Sequence, residues 1–200
     1  MMAKKIKATL DRRAAINQIL EKRGDALIIT GLGSSCYDVG AAGDHPNNFY
    51  LWGGMGAAAM IGLGLALAQP KRPVIVITGD GEMLMGLGAL ATIGSQAPRN
   101  LAIVVIDNEL YSETGMQPTH TSRGVDLPGM AKAAQFPRTA TIYSEAQLKS
   151  WVPKLYTPQG AAFVSIKVNS ARYPMAIKLR DGAHIKNRFR EALLGNAAFD

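Results

Sequence analysis

Short runs of apolar residues, many of them β-branched, alternate along the chain with segments that carry apolar residues at helical spacing. The apolar runs predict buried strands over 26–30, 74–78, 101–106, 139–142 and 162–168. Helical spacing, small-residue runs and capping residues predict helices over 11–23, 55–68, 126–136, 144–156 and 183–194. This alternation predicts an α/β fold, a doubly wound and mostly parallel sheet with helices on both faces.

Polar residues follow two of the predicted strands directly. Asp80 stands in Gly79-Asp80-Gly81-Glu82 after the second strand, and Asn108 follows the third. The carboxyl ends of parallel strands share the edge of the sheet where ligands bind. The Asp80 carboxylate, the Asn108 amide oxygen and a backbone carbonyl just past Asn108 suit a magnesium ion that takes its other ligands from phosphate and water. Gly79 and Gly81 let the backbone approach phosphates, and the helix beginning near Glu82 points N–H groups at them, so the segment predicts a site for a magnesium-bound diphosphate.

A Gly/Ser-rich turn follows the first predicted strand. Ser34 and Ser35 in this turn are placed to meet a diphosphate from the side opposite Gly81, although a turn of this composition is also ordinary punctuation between elements. Residues 40–54, further along, are polar and are predicted to be irregular.

The residues around these positions resemble a known family. The resemblance is carried by Leu51-Trp52-Gly53-Gly54-Met55-Gly56, by the run GDGEMLMGLGALATIG that begins at Gly79, and by the run DNELYSETGMQ that begins at Asp107. Together these segments are similar to the diphosphate-binding domain of the thiamine-diphosphate-dependent sulfopyruvate and phosphonopyruvate decarboxylases.

The resemblance implies a role for each matching residue. It implies that Asp80, Asn108 and the backbone carbonyl of Leu110 ligate magnesium. The residues implied to approach the diphosphate are Gly81, Glu82 and the backbone of Tyr111 and Ser112.

The resemblance also implies contacts with the rest of the cofactor. Gly53 is expected to accept a hydrogen bond from the exocyclic amine of thiamine, and Gly54 is expected beside it. Met55 is expected to support the bent cofactor from below, a role that suits a flexible and polarizable side chain.

Two carboxylates depart from the family pattern. Glu82 stands where the family commonly has Ser or Ala, and Ser112-Glu113 replaces the more usual Gly-Ser. We expect the Glu82 carboxylate to turn away from a diphosphate, which it would repel, and the Glu82 N–H to do the binding. Glu113 either transfers protons or is simply solvated.

Residues 109–125 form a candidate mobile loop that closes over the substrate. They have no apolar period, and they contain Gly115 and Pro118. His120 in this loop is placed to hold a substrate carboxylate or to shuttle a proton, so His120 and Glu113 are the candidate catalytic residues. The alternative is an exposed loop histidine, and the same alternative is stronger for His45 and His184.

The length suits one domain. With 200 residues, 48% of them hydrophobic, residues 1–200 are predicted to form a single diphosphate-binding domain with a charged C-terminal tail over about 170–200. The related decarboxylases also use a pyrimidine-binding domain, which carries an activating glutamate. The resemblance therefore implies a partner, a pyrimidine-binding (alpha) subunit, in a hetero-oligomer that is a dimer of heterodimers or larger.

Charge and cysteine content narrow the partners and the compartment. The net charge of +7 is spread over modest clusters at Lys4-Lys5-Lys7, Arg12-Arg13, Lys71-Arg72 and Lys178 to Arg190. The sequence contains no arginine-rich stripe interleaved with aromatic residues, which is the pattern that would indicate nucleic-acid binding. A basic balance instead suits an anionic cofactor and substrate. The single cysteine, Cys36, excludes a disulfide within the chain and indicates a cytoplasmic protein. No signal peptide or membrane span is predicted, and Cys36 is expected to be a small, partly buried residue.

These features lead to one favoured function and two alternatives. The favoured one is the diphosphate- and magnesium-binding subunit of a thiamine-diphosphate-dependent decarboxylase, a lyase that converts an anionic 2-oxo acid to an aldehyde and carbon dioxide. The first alternative is a subunit of a split transketolase or of a 2-oxo acid oxidoreductase. The second is a module that binds the cofactor without catalysis.

Overall fold

The computed structural model of the chain describes residues 9–176 and 180–199. The basic residues Lys4, Lys5, Lys7 and Lys178, which enter the charge argument above, lie outside these ranges. The strands are β1 Leu27–Thr30, β2 Asn48–Tyr50, β3 Val74–Gly79, β4 Leu101–Asp107, β5 Leu110–Tyr111, β6 Gln117–Pro118, β7 Arg138–Ile142 and β8 Ala162–Lys167. The helices are α1 Arg12–Leu20, α2 Ser34–Ala41, α3 Ala58–Ala68, α4 Asp80–Met85, α5 Ala89–Gln96, α6 Leu127–Ala133, α7 Glu145–Leu155 and α8 Gly182–Leu194, with 3-10 helices at His120–Arg123 and Gly195–Phe199.

Six strands form one parallel sheet in the order β2-β1-β3-β4-β8-β7. Successive side chains of each strand point to opposite faces, so two cores form. One core joins Ile75 and Val104 to α1, α2 and α7, and the other joins Val76 and Ile103 to α3, α5 and α6. Because both faces are covered, β1 and β4 are buried along their whole length. The predicted doubly wound α/β fold with helices on both faces is confirmed.

The structure adds β2 and α2 next to β1, and the pattern predicted neither of them. The segment 40–54, predicted to be irregular, contains the edge strand β2, whose Asn48–Tyr50 pairs in register with Ile28, Ile29 and Thr30. The Gly/Ser turn continues directly into α2, which starts at Ser34 after Gly33. Both elements depend on contacts with β1 and on the sheet, which local composition does not report.

The predicted helix after Asp80 is divided into α4 and α5 at Gly86. A side chain at Gly86 would place its Cβ 2.0 Å from the carbonyl oxygen of Gly56, so the two backbones touch and the helix breaks there. This contact joins the segment that carries Met55 to the segment that carries Asp80.

Polar contacts hold the loop 109–125. It contains an antiparallel pair, β5 with β6, and the 3-10 helix His120–Arg123. Thr119 and Thr121 are buried and form hydrogen bonds with acidic side chains at the ends of the central strands. Buried hydroxyl groups, rather than a stripe of apolar side chains, therefore anchor this loop.

The C-terminal segment is packed on the edge of the sheet. Phe189 of α8 contacts Phe49 edge to face, with ring centroids 5.5 Å apart, and Arg188 forms an ion pair with Asp44 at 2.6 Å. No helix within residues 9–176 and 180–199 is long and apolar enough to cross a membrane.

Candidate functional site

A cavity opens at the carboxyl ends of the central strands and collects most of the predicted site residues. Those that line it are Ser34, Ser35, Met55, Gly79, Asp80, Gly81, Glu82, Asn108, Leu110, Tyr111, Ser112 and Glu113. Gly53, Gly54 and His120 are not among the lining residues. Four residues without a predicted role also line the cavity, namely Arg12, Leu32, Ile106 and Thr114.

Asp80 lies at the start of α4, at the end of β3, and is 2% exposed. Its Oδ2 accepts hydrogen bonds from the Thr119 hydroxyl at 2.5 Å and the Thr121 hydroxyl at 3.3 Å. Burial, followed by the nearby charge of Asp107, raises the pKa of Asp80 to about 6, although the hydroxyl bonds act in the opposite direction. A divalent cation beside this carboxylate would relieve the unfavourable burial of its charge.

Asp107, at the end of β4, is fully paired. Its Oδ1 accepts from the Thr121 hydroxyl at 2.9 Å, and its Oδ2 accepts from the Ser165 hydroxyl at 3.1 Å. Lys167 of β8 lies 2.7 Å from Oδ2 and 3.1 Å from Glu109. Burial lowers the pKa of Lys167, but the hydrogen bonds and charges of Asp107 and Glu109 outweigh burial, and the net pKa is raised. A continuous polar chain thus runs from Lys167 through Asp107 and Thr121 to Asp80.

Asn108 begins the loop that borders the cavity. Its Oδ1 accepts from the Leu110 N–H at 3.0 Å, and its Nδ2 donates to the Ser112 hydroxyl at 2.7 Å. These bonds orient the amide next to Leu110 in a tight turn where Glu109 has a φ of 66°. Within the described residues no three His, Cys, Asp or Glu side chains cluster to hold a metal. The predicted set of one carboxylate, one amide and one carbonyl therefore needs further ligands from phosphate and water.

The Glu82 carboxylate is turned toward the body of the protein. The residue is 4% exposed, and its Oε2 accepts from the Thr78 hydroxyl at 2.6 Å. Burial raises the pKa of Glu82, while the Thr78 bond and nearby backbone N–H groups of Ala58, Gly56 and Leu32 lower it. No group in the described part of the chain reaches Oε1 in hydrogen-bond geometry. The Glu82 carboxylate is therefore paired within the protein, and its orientation relative to a bound diphosphate stays a prediction.

Met55 is 38% exposed and lines the cavity just before α3. It is held in place by the contact of Gly56 with Gly86, and Gly56 has a φ of 91°, which favours glycine. Met55 is thus positioned by the same backbone that carries the Asp80 segment.

Glu113 lies against the beginning of α2. Its Oε1 accepts from the Ser34 hydroxyl at 3.3 Å, and a Cβ at Gly33 would lie 2.8 Å from the Glu113 Cγ. Gly33, with a φ of 72°, precedes α2 and provides no side-chain cap. A negative charge at this helix start is favourable, so Glu113 occupies a place that suits an anion.

His120, His45 and Cys36 are not among the residues that line the cavity. His120 is exposed in its 3-10 helix. His45 is half-buried, and its Nδ1 accepts a hydrogen bond from the Asn47 N–H at 3.0 Å. Cys36 is fully buried rather than partly buried. Burial raises the pKa of the Cys36 thiol to about 12, which keeps the thiol protonated and unreactive.

The comparisons with known proteins assign the class. The family described as thiamine pyrophosphate enzyme, C-terminal TPP binding domain, matches residues 33–166, more than half of the chain. The chain belongs to this family of thiamine diphosphate-binding domains.

Within the class, the chain is similar to sulfopyruvate and phosphonopyruvate decarboxylases. It is 43% identical to sulfopyruvate decarboxylase subunit beta of Methanothermobacter thermautotrophicus over 127 residues, 64% of this chain and 68% of that protein. It is 32% identical to the same subunit of Methanococcus maripaludis over 184 residues, 92% of this chain and 98% of that protein. Phosphonopyruvate decarboxylase of Streptomyces viridochromogenes is 44% identical over 126 residues, but the chain spans only 31% of that protein. The predicted family resemblance is confirmed.

Solved structures support the fold. Benzoylformate decarboxylase from Polynucleobacter necessarius superposes with a TM-score of 0.73 at 18% identity, over 86% of this chain and 36% of that one. A thiamin diphosphate-dependent enzyme from Mycobacterium smegmatis gives a TM-score of 0.71 at 22% identity, over 82% of this chain and 32% of that one.

Proposed function

We propose that the chain is the diphosphate- and magnesium-binding subunit of a hetero-oligomeric, thiamine-diphosphate-dependent decarboxylase. The observation that carries the proposal is that Asp80 and Asn108, from the ends of neighbouring parallel strands, line one cavity in a chain similar to sulfopyruvate decarboxylase beta subunits. The substrate is an anionic 2-oxo acid of the sulfopyruvate or phosphonopyruvate kind, and the products are an aldehyde and carbon dioxide.

The residues present fit a magnesium-bound diphosphate. Asp80 offers a buried carboxylate whose raised pKa a cation would correct, and Asn108 and Leu110 line the cavity beside it. In the proposal these three residues hold magnesium, Asp80 and Asn108 through side chains and Leu110 through its carbonyl. When bound, thiamine diphosphate supplies the nucleophilic carbon and the electron sink that decarboxylation of a 2-oxo acid requires.

Other residues of the chain bind and orient the cofactor. Those assigned to the cofactor in the proposal are Ser34, Ser35, Gly53, Gly54, Met55, Gly79, Gly81, Glu82, Tyr111 and Ser112. The Met55 side chain, which adjoins the touching backbones of Gly56 and Gly86, supports the cofactor from below. The apolar lining residues Leu32 and Ile106 help to exclude water.

Proton transfer is assigned to Glu113 and His120. Glu113 lines the cavity already, whereas His120 lies exposed on the same loop. His120 acts in this proposal only after the loop 109–125 closes over the substrate.

The partner is a pyrimidine-binding (alpha) subunit that supplies the activating glutamate. Two of the relatives are named as subunits beta, and residues 1–200 act in this proposal as one diphosphate-binding domain. The assembly is a dimer of heterodimers or larger. The single cysteine, buried and unpaired, supports a cytoplasmic location.

Two measurements on the purified chain and its co-expressed partner test the proposal. Calorimetric titration should show magnesium-dependent binding of thiamine diphosphate, and carbon dioxide release from sulfopyruvate or phosphonopyruvate should require both chains. Robust turnover by the chain alone would contradict the two-subunit assignment. Turnover that requires an electron acceptor would favour an oxidoreductase, and cofactor binding without turnover on any 2-oxo acid would favour a non-catalytic module.

A further inference from the structure

Arg12 is a buried arginine in the cofactor cavity. It is the first residue of α1 and is 6% exposed, yet it lines the same cavity as Ser34 and Asp80. The chain brings it there by pairing Leu10 with Val168, just beyond the end of β8, which places the start of α1 at the carboxyl edge of the sheet. Arg12 precedes the family-matched segment 33–166.

Arg12 shares its ion-pair partner, Asp38, with Arg13, and its contact with that carboxylate has poor hydrogen-bond geometry. Arg12 Nε lies 3.1 Å from Asp38 Oδ2, but neither buried atom has a hydrogen-bond partner in proper geometry within the described residues. The other carboxylate oxygen, Oδ1, accepts a hydrogen bond from Arg13 Nε at 2.9 Å. Asp38 thus has a well-directed hydrogen-bond partner in Arg13. Arg12 is a buried cation whose Nε–H group has no well-directed acceptor within the described residues.

The residues that line the cavity carry more negative than positive charge. Three of the lining residues, Asp80, Glu82 and Glu113, are acidic, and Arg12 is the one lysine or arginine that lines the cavity in the described part of the chain. A diphosphate adds further negative charge, of which a magnesium ion at Asp80 compensates only a part. Arginine suits the remainder because its planar guanidinium binds phosphate oxygens with paired N–H groups.

We propose that Arg12 is a cofactor-binding residue that holds the terminal phosphate of thiamine diphosphate, together with Ser34 and the start of α2. The inference rests on the proposed function of the cavity. The Ser34 hydroxyl and the helix start, where Glu113 now lies, form the seat, and Arg12 supplies its positive charge. Glu113 leaves this position when the phosphate enters.

Arg13 provides a matched control. It adjoins Arg12, pairs with the same Asp38, and contacts the same Tyr173 ring, with its guanidinium 4.6 Å from the ring centroid against 5.3 Å for Arg12. Arg13 does not line the cavity. A merely structural role in neutralising Asp38 would make the two arginines equivalent.

The test compares thiamine diphosphate with thiamine monophosphate, which lacks the terminal phosphate. Calorimetric titration with magnesium is done on the purified chain, alone and with its co-expressed partner. Arg12→Met should weaken thiamine diphosphate binding at least ~tenfold, as expected for lost hydrogen bonds to a charged group, and Arg12→Lys should weaken it less. The affinity of both variants for thiamine monophosphate should stay within about threefold of the wild type, and Arg13→Met should leave both ligands within the same limit.

Several results would overturn the role of Arg12. Equal losses for the two ligands, or equal losses in Arg12→Met and Arg13→Met, would indicate a structural role. Unchanged binding of thiamine diphosphate with a raised KM for the 2-oxo acid in the assembled enzyme would assign Arg12 to the substrate instead. If Arg12→Met does not fold, Arg12→Met with Asp38→Asn removes both charges and must still show the selective loss. Failure of the wild-type chain to bind thiamine diphosphate would contradict the proposed function itself.

Discussion

The two walls of the cavity differ in how completely their polar groups are paired. The Asp80 wall is backed by a closed network, formed by Asp80, Asp107, Thr119 and Thr121, in which each carboxylate accepts hydrogen bonds. The helix-side wall, formed by Arg12, Ser34, Ser35 and Glu113 with Asp38 behind it, contains the buried atoms Arg12 Nε and Asp38 Oδ2 without well-directed partners. A closed network fixes ligand geometry in advance, whereas an incompletely paired wall gains most when an anion arrives.

Removing the cation from the closed network should have the largest effect. Lys167→Met removes the ammonium group that pairs with the buried carboxylate of Asp107. We expect the free energy of unfolding to fall by about 3–5 kcal/mol, the usual consequence of an uncompensated buried charge. Urea unfolding measures the change, and exposed Lys149→Met is the control. A loss below about 1 kcal/mol would mean that the network is not essential to the fold.

Asp80, the proposed metal ligand, is expected to oppose folding when no metal is present. Because the pKa of Asp80 is raised to about 6 in the folded protein, the unfolded state loses this proton at lower pH than the folded state. The resulting destabilisation is fully present above pH 6 and disappears as the pH falls toward the unfolded value near 4.

Asp80→Asn should therefore stabilise the metal-free protein at pH 8, by up to about 3 kcal/mol at roughly 1.4 kcal/mol per pKa unit. The gain should shrink below pH 6. The same variant should bind magnesium and thiamine diphosphate at least about a hundredfold more weakly. Thermal unfolding in chelator and calorimetry measure the two effects, with exposed Asp25→Asn as the control. Unchanged cofactor affinity would remove Asp80 from the site.

His120, which is exposed on the loop 109–125, tests whether closure of that loop completes the site. His120→Ala should lower turnover of the assembled enzyme at least ~tenfold, the lower range for a positioned acid or base, and should leave cofactor affinity unaltered. Steady-state kinetics and calorimetry make the comparison, with exposed His184→Ala as the control. Normal turnover would show that His120 is a solvated residue and that the partner supplies the catalytic groups.

The smallest effect is expected at Glu82, which also lines the cavity. Burial raises the pKa of this carboxyl, so its charge opposes folding above the raised pKa and ceases to do so as the pH falls through it. Glu82→Gln keeps an acceptor for Thr78 and should stabilise the chain by about 1 kcal/mol or less at pH 8. Exposed Glu191→Gln is the control for urea unfolding. A clear loss of stability would show that the charged carboxylate supports the start of α3.

Sequence patterns predicted the parts of the molecule that local physics determines. Val74 to Thr78 and Leu101 to Ile106 are continuous β-branched and apolar runs, and both became central strands whose ends bring Asp80 and Asn108 to one cavity. The roles of these residues in binding remain predictions.

Long-range contacts determine what the patterns missed. The strand Asn48–Tyr50 exists because it pairs with β1, and Arg12 reaches the cavity through the pairing of Leu10 with Val168, residues far apart in the chain. A basic pair at the start of a helix is an ordinary solvated feature in a sequence, so nothing local distinguished Arg12 from Arg13.

The touching backbones of Gly56 and Gly86 have a consequence for engineering. A side chain at either position must displace the backbone of the other segment. Substitutions at residue 86 are therefore expected to shift Met55 and Asp80 together. Such substitutions will disturb the proposed cofactor support and the proposed metal site together, and independent adjustment requires substitutions at Met55 itself.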